Sequence, residues 1–504
     1  MIAACSSSGG SSDDDVVQEE VIVPLDVRLN PINNIGYVDV DLSGTLINYD
    51  SQNIREQGFC WSTSPNPEIT DEKIQLERHS INFDFNLRHL SLNTTYYVRA
   101  FVRVPNETIY SNELSFHTKN VAEVCQDTWN ADIAGGDDLI SIAKLDGGGY
   151  IALGYSCRYL GGLNADPIIM RFNDNCELVW GKTYDDGTLS TQAMQVIVDS
   201  NNHIVFVSRI YRQSGGHTML VKMDLDGNVI WETILDEGAD SLAERYYPLA
   251  LTESGNGNYL VVGSRIPEST APNSKANFLL VKFNNNGVPV FNKNYGESDV
   301  VEHAWGVVEN PVTEDIMIFG STDKFGNEDF KLVKVDAGGN FISENIHRRG
   351  GQDRPRTILN ANDGNILVSG FSSSWGIGEY DIMLGKFDWD CNLLWDRGIG
   401  VQNETIQMEG PNSIYESPQN EIYIAARRRD YGSKAFAVKT DAEGNEIWRK
   451  TAETNASNST FDGFRSVIEL NNGEILFTGH AHDVDMDPNQ NHTDGWIVKF
   501  SDDN

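Results

Sequence analysis

No run of the chain approaches the roughly 20 consecutive apolar residues that a bilayer-spanning helix requires, which excludes an ordinary helical membrane protein. Basic residues are scarce: 38 Lys and Arg stand against 74 Asp and Glu, a formal charge of −36. A field of that sign repels polyanions, so nucleic acid is excluded as a partner. Cysteines are few, at positions 5, 60, 125, 157, 176 and 391. None forms a CxxC pair, so zinc and redox motifs of that kind are excluded. With Cys5 set aside, five remain, enough for at most two disulfides and one free thiol. No Ser/His/Asp set stands in a recognisable context, and no Gly-rich phosphate loop opens a helix. The sequence therefore offers no catalytic residues and no firm cofactor.

What is present is turn chemistry. The 504 residues include 45 glycines, and Asn-Gly, Asp-Gly and Gly-Gly clusters punctuate the chain as hairpins do. A chain this long implies two or three domains. Residues 1–20 form the first segment: Met1-Ile-Ala-Ala-Cys5, then a Ser/Gly/Asp run that can bury no apolar surface and is expected to be a flexible tether. Small residues before a cysteine resemble the end of a bacterial lipoprotein signal. The Ser- and Asp-rich stretch after it resembles the surface-export signal of Bacteroidetes-type lipoproteins. The resemblance implies lipidation at Cys5 and an outer-membrane, lipid-anchored, cell-surface location. A cysteine in a disordered tail is the alternative.

Residues 21–120 read as short strands of period two, as in Gly36-Tyr-Val-Asp-Val-Asp-Leu. Trp61, in Gly58-Phe-Cys-Trp-Ser62, is expected to fill a core between two sheets, with Cys60 a buried thiol. Leu90 followed by a turn and then Tyr96 resembles a tyrosine corner. Together these resemble a fibronectin type III-like β-sandwich. That resemblance implies a spacer or stalk, with a binding module as the alternative.

From 125 to 504 two units alternate, each recurring about every 50 residues. One is a strand, a tight turn and a strand ending in an aromatic: Ile168 to Trp180, Leu220 to Trp231, Leu280 to Phe291, Leu332 to Ser343, Leu384 to Trp395 and Ala437 to Trp448. A last copy, Ile497-Val-Lys-Phe500, lacks its closing strand. The other is an apolar strand, usually ending at Gly, as in Tyr259-Leu-Val-Val-Gly263 and Ile475-Leu-Phe-Thr-Gly479. Seven copies of each predict an all-β chain: a small sandwich followed by a seven-bladed β-propeller. The strand missing at the end is expected from residues 126–134, pairing with 496–500 to close the ring and hide its edges. The Gly-Asn-x-Ile-Trp turn resembles kelch-like and quinoprotein-like bacterial propellers. Quinoprotein dehydrogenases are usually eight-bladed, with cofactor and calcium ligands that do not map here, so that activity does not carry over.

Candidate sites fall in three groups. His480, His482, Asp483, Asp485, Asp487 and His492 crowd one loop. The alternating acids suit Ca²⁺ and the histidines a transition metal, against a metal-free polar loop. The Asp224, Asp388 and Asp441 turns resemble short calcium loops, but recurrence in a hairpin slot favours turn geometry. Trp305, Trp375 and Tyr380 are aromatics suited to stacking on a glycan or peptide, with Tyr246 and Tyr247 nearby. Arg348, Arg349, Arg354, Arg356, Arg427 and Arg428 cluster in an acidic chain and could bind carboxylates, or merely balance charge. The expected function is a non-enzymatic cell-surface binding or scaffold lipoprotein with a monomeric propeller. Its face engages a glycan, peptide or outer-membrane protein, as an accessory to a nutrient transporter. The alternative is a polysaccharide-degrading hydrolase or lyase with its site at the propeller mouth.

Overall fold

The computed structural model describes residues 25–36, 39–48, 54–76, 78–88, 90–129, 137–157, 165–184, 190–212, 215–235, 245–266, 275–374, 380–400, 413–429, 433–452, 462–482 and 493–502. Every regular element among them is a strand. The chain divides into two compact units, Met1–Lys119 and Asn120–Asn504.

The first unit has two antiparallel sheets. Val40–Ile47 pairs with Asp26–Leu29, Asn33–Ile35 and Asn82–Leu87; Thr95–Val104 pairs with Glu56–Ser62, Glu107–Tyr110 and Leu114–His117, and Glu72–Gln75 adds to Glu56–Ser62. Alternation sends Val27, Leu29, Val40 and Leu42 from one sheet, and Phe59, Val98, Ala100 and Val102 from the other, into one core. Phe59 takes the centre, its ring 5.1 Å from that of Phe83. Trp61, expected there, packs partly buried at the margin. The Ser91 amide donates to the Tyr96 hydroxyl at 3.0 Å, holding the turn before the long strand. Burial pushes the Cys60 thiol up to about 12, which keeps it protonated and unreactive.

The second unit is a β-propeller. Among the described residues it has seven four-stranded antiparallel sheets, six of them built from consecutive strands. The first strands of blades 1 to 7 are Asp137–Lys144, Ser190–Val198, Arg245–Glu253, Glu302–Glu309, Asp353–Asn360, Ser413–Glu416 and Gly463–Glu469. Each packs on the first strand of the next blade, and that of blade 7 meets that of blade 1, so first strands form the inner ring. Second and third strands are apolar on both faces because each lies between neighbouring blades: Leu367, Phe371 and Leu384 of blade 5 pack on Ile422, Ile424 and Phe436 of blade 6. In blade 7 the outermost strand comes from the start of the unit. Val121–Trp129 pairs with Thr493–Asp502, Val121 opposite Asp502 and Trp129 opposite Gly495. This strand begins five residues before the expected 126, because the last strand runs past Phe500 to Asp502 and its ladder continues upstream.

The repeating turn ties blade to blade. The Asp224 carboxylate accepts the Asp226 and Asn228 amides at 3.0 and 2.8 Å and the Asn228 side chain at 2.9 Å. Asp388 and Asp441 make the same set. These carboxylates close their own turns. Cys176 and Cys391 sit at φ +64° and +63° in the slot that glycine fills elsewhere. Cys176 is disulfide-bonded, while Cys60 and Cys391 are buried free thiols, so the five cysteines hold at most one disulfide among themselves rather than the two their number allows. The motif's Trp and Lys reach into the next blade's turn. The Trp180 and Trp231 indoles donate to the Leu225 and Asn285 carbonyls at 3.0 and 3.1 Å. Buried Lys222 bridges Asp199 at 2.8 Å and the Asn285 side chain at 2.7 Å. Across the ring closure, Lys499 bridges Glu474 at 2.7 Å and the Asp174 carbonyl at 2.9 Å.

Gly287 tests this contact. Its φ is +76°, and a Cβ there would lie 2.7 Å from both Thr233 Oγ1 and Trp231 Cε3 of the preceding blade. Gly364 has φ +83°, and a Cβ there would meet nothing within 4 Å. Gly364→Ala should cost about 1 kcal/mol through the backbone alone. Gly287→Ala should cost that and a further ~1–3 kcal/mol from overpacking. Chemical denaturation of the two variants side by side separates the terms.

Candidate functional site at the propeller mouth

The inner strands of blades 1 to 5 and 7 each carry one β-bulge at the same level. The register shifts between Leu139 and Ser141, Ala193 and Gln195, Pro248 and Ala250, Ala304 and Gly306, Pro355 and Thr357, and Phe464 and Ser466. A bulge leaves one residue unpaired and re-aims its side chain. Here those residues are Ile140, Met194, Leu249, Trp305, Arg356 and Arg465. Blade 6 is described only from Ser413, beyond this level. Two residues earlier, the inner strands carry Asp138, Gln192, Tyr247, His303 and Arg354. The residues opposite these on the second strands are Tyr155, Arg209, Ser264, Ser321 and Phe371.

These tiers interlock across blades 2 to 5. The Arg209 guanidinium lies 4.4 Å over the Tyr247 ring and donates to the Tyr211 hydroxyl at 3.0 Å. The Ser264 hydroxyl is 2.6 Å from His303 Nδ1. Arg356 lies 4.5 Å from the Trp305 ring and 4.6 Å from Phe371. Arg354 donates to Glu328 at 3.1 Å. Two donors in this wall, Arg209 Nε and the Trp305 indole N–H, are buried without an acceptor among the described residues. Burial pushes Arg356 down to about 10, against the pull of Glu328, with Arg354 and Arg465 adding to the shift. Burial also lowers His303, against Glu328 and Asp323 and with the help of Arg209, so its imidazole is held neutral.

The seam between blades 7 and 1 is closed instead. Arg465 grips the Asp138 carboxylate at 2.8 and 3.1 Å, and His480 Nδ1 lies 3.2 Å from it. Burial raises Asp138, but Arg465 and His480 outweigh burial and hold it well below the usual carboxylate range.

Of the residues expected from sequence, Trp305, Arg354 and Arg356 come together in the wall. Tyr380 stands behind it, edge-on to Phe371 and donating to Gln352 at 3.0 Å. Arg348 lies over Phe325 and pairs with Asp329 on the third strand of blade 4 at 3.3 Å, and Arg349 pairs with Asp396 on the outermost strand of blade 5. The Arg427 stem lies against Gly463. His480 is buried on Asp138. Cys5, Trp375, Asp483, Asp485, Asp487 and His492 lie outside the described residues, as do the side chains of Arg428 and His482. Among the described residues no group of three His, Cys, Asp or Glu is arranged to hold a metal. Arg209, Ser264, Asp138 and Arg465 were not legible as site residues. A signal for the first two was present: each follows the small residue that ends a repeated apolar strand.

No family model matches the chain, and no curated protein matches its sequence. Solved structures do resemble it. A protein of unknown function from Dyadobacter fermentans is 13% identical over 76% of this chain and 99% of that one, with a TM-score of 0.45. The family GH93 α-L-arabinofuranosidase of Fusarium graminearum is 12% identical over 63% and 94%, with a TM-score of 0.41. NanB is 9% identical over 94% and 92%, also with 0.41. At these identities and scores the likenesses carry no inference about what this chain binds or does.

Proposed function

We propose that the chain is a surface-anchored binding protein whose propeller mouth takes a carboxylate-bearing glycan. In this reading Cys5 carries the lipid anchor at the outer membrane, and residues 21–120 are a fibronectin type III-like stalk. The seven-bladed propeller presents its mouth outward, beside an outer-membrane partner. The observation that supports it is Arg356, held between Trp305 and Phe371 with Arg209 stacked on Tyr247 nearby. Desolvated guanidinium groups bind carboxylates in directed fashion, and flat rings at the same level suit sugar faces. A chain of charge −36 repels anions in general, so its affinity for one has to come from a built site. An acidic peptide would use the guanidinium groups without needing the rings. The reading concerns recognition, whether or not the bound chain is then cleaved.

Calorimetry with uronate oligosaccharides and their neutral, carboxyl-reduced counterparts tests it. Losing a charge-assisted hydrogen bond costs about 1.5–3 kcal/mol, so Arg356→Ala should weaken uronate binding by roughly 10- to 150-fold. The neutral sugars should bind weakly to both proteins. Equal affinity for charged and neutral sugars, unchanged in Arg356→Ala, would sink the reading.

A further inference from the structure

We infer that His303, Tyr247 and Arg209 form a β-elimination site, at which a uronate-containing polysaccharide is cleaved. The inference rests on the reading that a carboxylate-bearing glycan occupies the mouth. It adds His303, held by Ser264, to the stacked Arg209 and Tyr247 on blades 2 to 4.

Three requirements meet there. Elimination from a uronate needs the carboxylate neutralised, a base for the proton on C5, and an acid for the oxygen leaving C4. Arg209 supplies a guanidinium whose Nε donor is buried and unengaged, with no carboxylate paired to it among the described residues. His303 supplies the base. Its Nδ1 is fixed at 2.6 Å by the Ser264 hydroxyl. With Nδ1 carrying the proton toward that oxygen, Nε2 is the free basic nitrogen. Ser264 is 3% exposed, so it is a positioning residue and not a nucleophile. Tyr247 supplies the acid. The residue is partly exposed, lies opposite Ser264 in register, and has the Arg209 cation 4.4 Å over its ring.

The step balances without metal, oxidant or cofactor. His303 Nε2 takes the C5 proton while Arg209 holds the carboxylate over which the carbanion charge spreads. The electron pair forms the C4=C5 bond as the C4–O bond breaks. The departing oxygen takes the Tyr247 proton. The products are a new sugar hydroxyl and a 4,5-unsaturated uronate, and solvent resets both side chains.

The test uses the full chain with polygalacturonate, polymannuronate and glucuronan in chelator, reading the ultraviolet absorbance of the unsaturated uronate alongside calorimetric binding. The wild-type protein is expected to generate absorbance from at least one polymer. General acid–base groups contribute ~10²- to 10⁴-fold, so His303→Ala and Tyr247→Phe should each lose ~100-fold or more in turnover and keep binding within about threefold. Ser264→Ala should lower kcat with KM unchanged and shift the acidic limb of the pH profile, which reports the base and which a merely structural role would not move. Binding with no absorbance in the wild-type protein, or new reducing ends without it, overturns elimination and leaves the binding reading standing. No binding to any of the three polymers sinks both.

Discussion

Asp138→Ala should be among the most destabilising single substitutions in the propeller. Asp138 belongs to blade 1, and its two partners, Arg465 and His480, belong to blade 7. The side chain is 8% exposed, so removing it strands a guanidinium and an imidazole in a dry seam. Breaking a buried pair from one side costs about 3–5 kcal/mol, because the remaining charge keeps its desolvation penalty and loses its compensation. Replacing all three residues by apolar ones of similar volume should recover most of that loss, since the penalty then disappears with the charges. The pH dependence has a definite sign. The folded carboxyl is held below its unfolded value of roughly 3.9. Its stabilisation is therefore fully present above that unfolded value and is lost as pH falls through the depressed folded one. The gap between wild-type and Asp138→Ala melting temperatures should be constant near neutrality and narrow only in strong acid. A variant that melts with the wild-type protein at pH 7 would show that the blade 7–blade 1 seam is held elsewhere.

The architecture was legible because it is written in local chemistry that repeats. An Asp or Asn whose side chain closes its own turn and a residue at positive φ recur at fixed offsets in blades 1 to 6, and in all of these but blade 4 an aromatic follows at a fixed offset in the next strand. The site was legible only in part because it is written across blades. Ser264 and His303 are 39 residues apart and meet only when blade 3 packs on blade 4. Asp138 and Arg465 are 327 apart and meet only when the ring closes. The bulges add a second obstacle. Trp305, Arg356 and Arg465 reach the mouth because one extra residue is inserted at that level of the inner strand. Strict period-two counting assigns such residues to the wrong face. The pair Arg348 and Arg349 shows the converse: adjacency in sequence suggested a patch, while the two are taken up by Asp329 on the third strand of blade 4 and Asp396 on the outermost strand of blade 5.

Removing Val121–Trp129 from the full chain should open the propeller. These residues provide the outermost strand of blade 7, laddered from Val121–Asp502 to Trp129–Gly495. Without them Thr493–Asp502 becomes an edge ten residues long, with one row of amides and carbonyls unpaired. Long, regular edges of this kind recruit other chains. The rest of blade 7 would lose more than backbone pairing. Its third strand contributes Lys499, which ties Glu474 to the Asp174 carbonyl of blade 1, and Trp496, buried against Phe464. An edge strand is free to twist away from both. The expected result is a soluble yield lower by roughly several-fold or more, as for losses of a few kcal/mol, with oligomers in size-exclusion chromatography. A peptide spanning 121–129 added during refolding should restore the monomer, since an extended segment can add to an exposed edge in trans. If the truncated chain is monomeric and melts with the intact one, the ladder to Thr493–Asp502 contributes little. The packing between the inner strands of blades 7 and 1, anchored at Asp138, would then be what holds the ring.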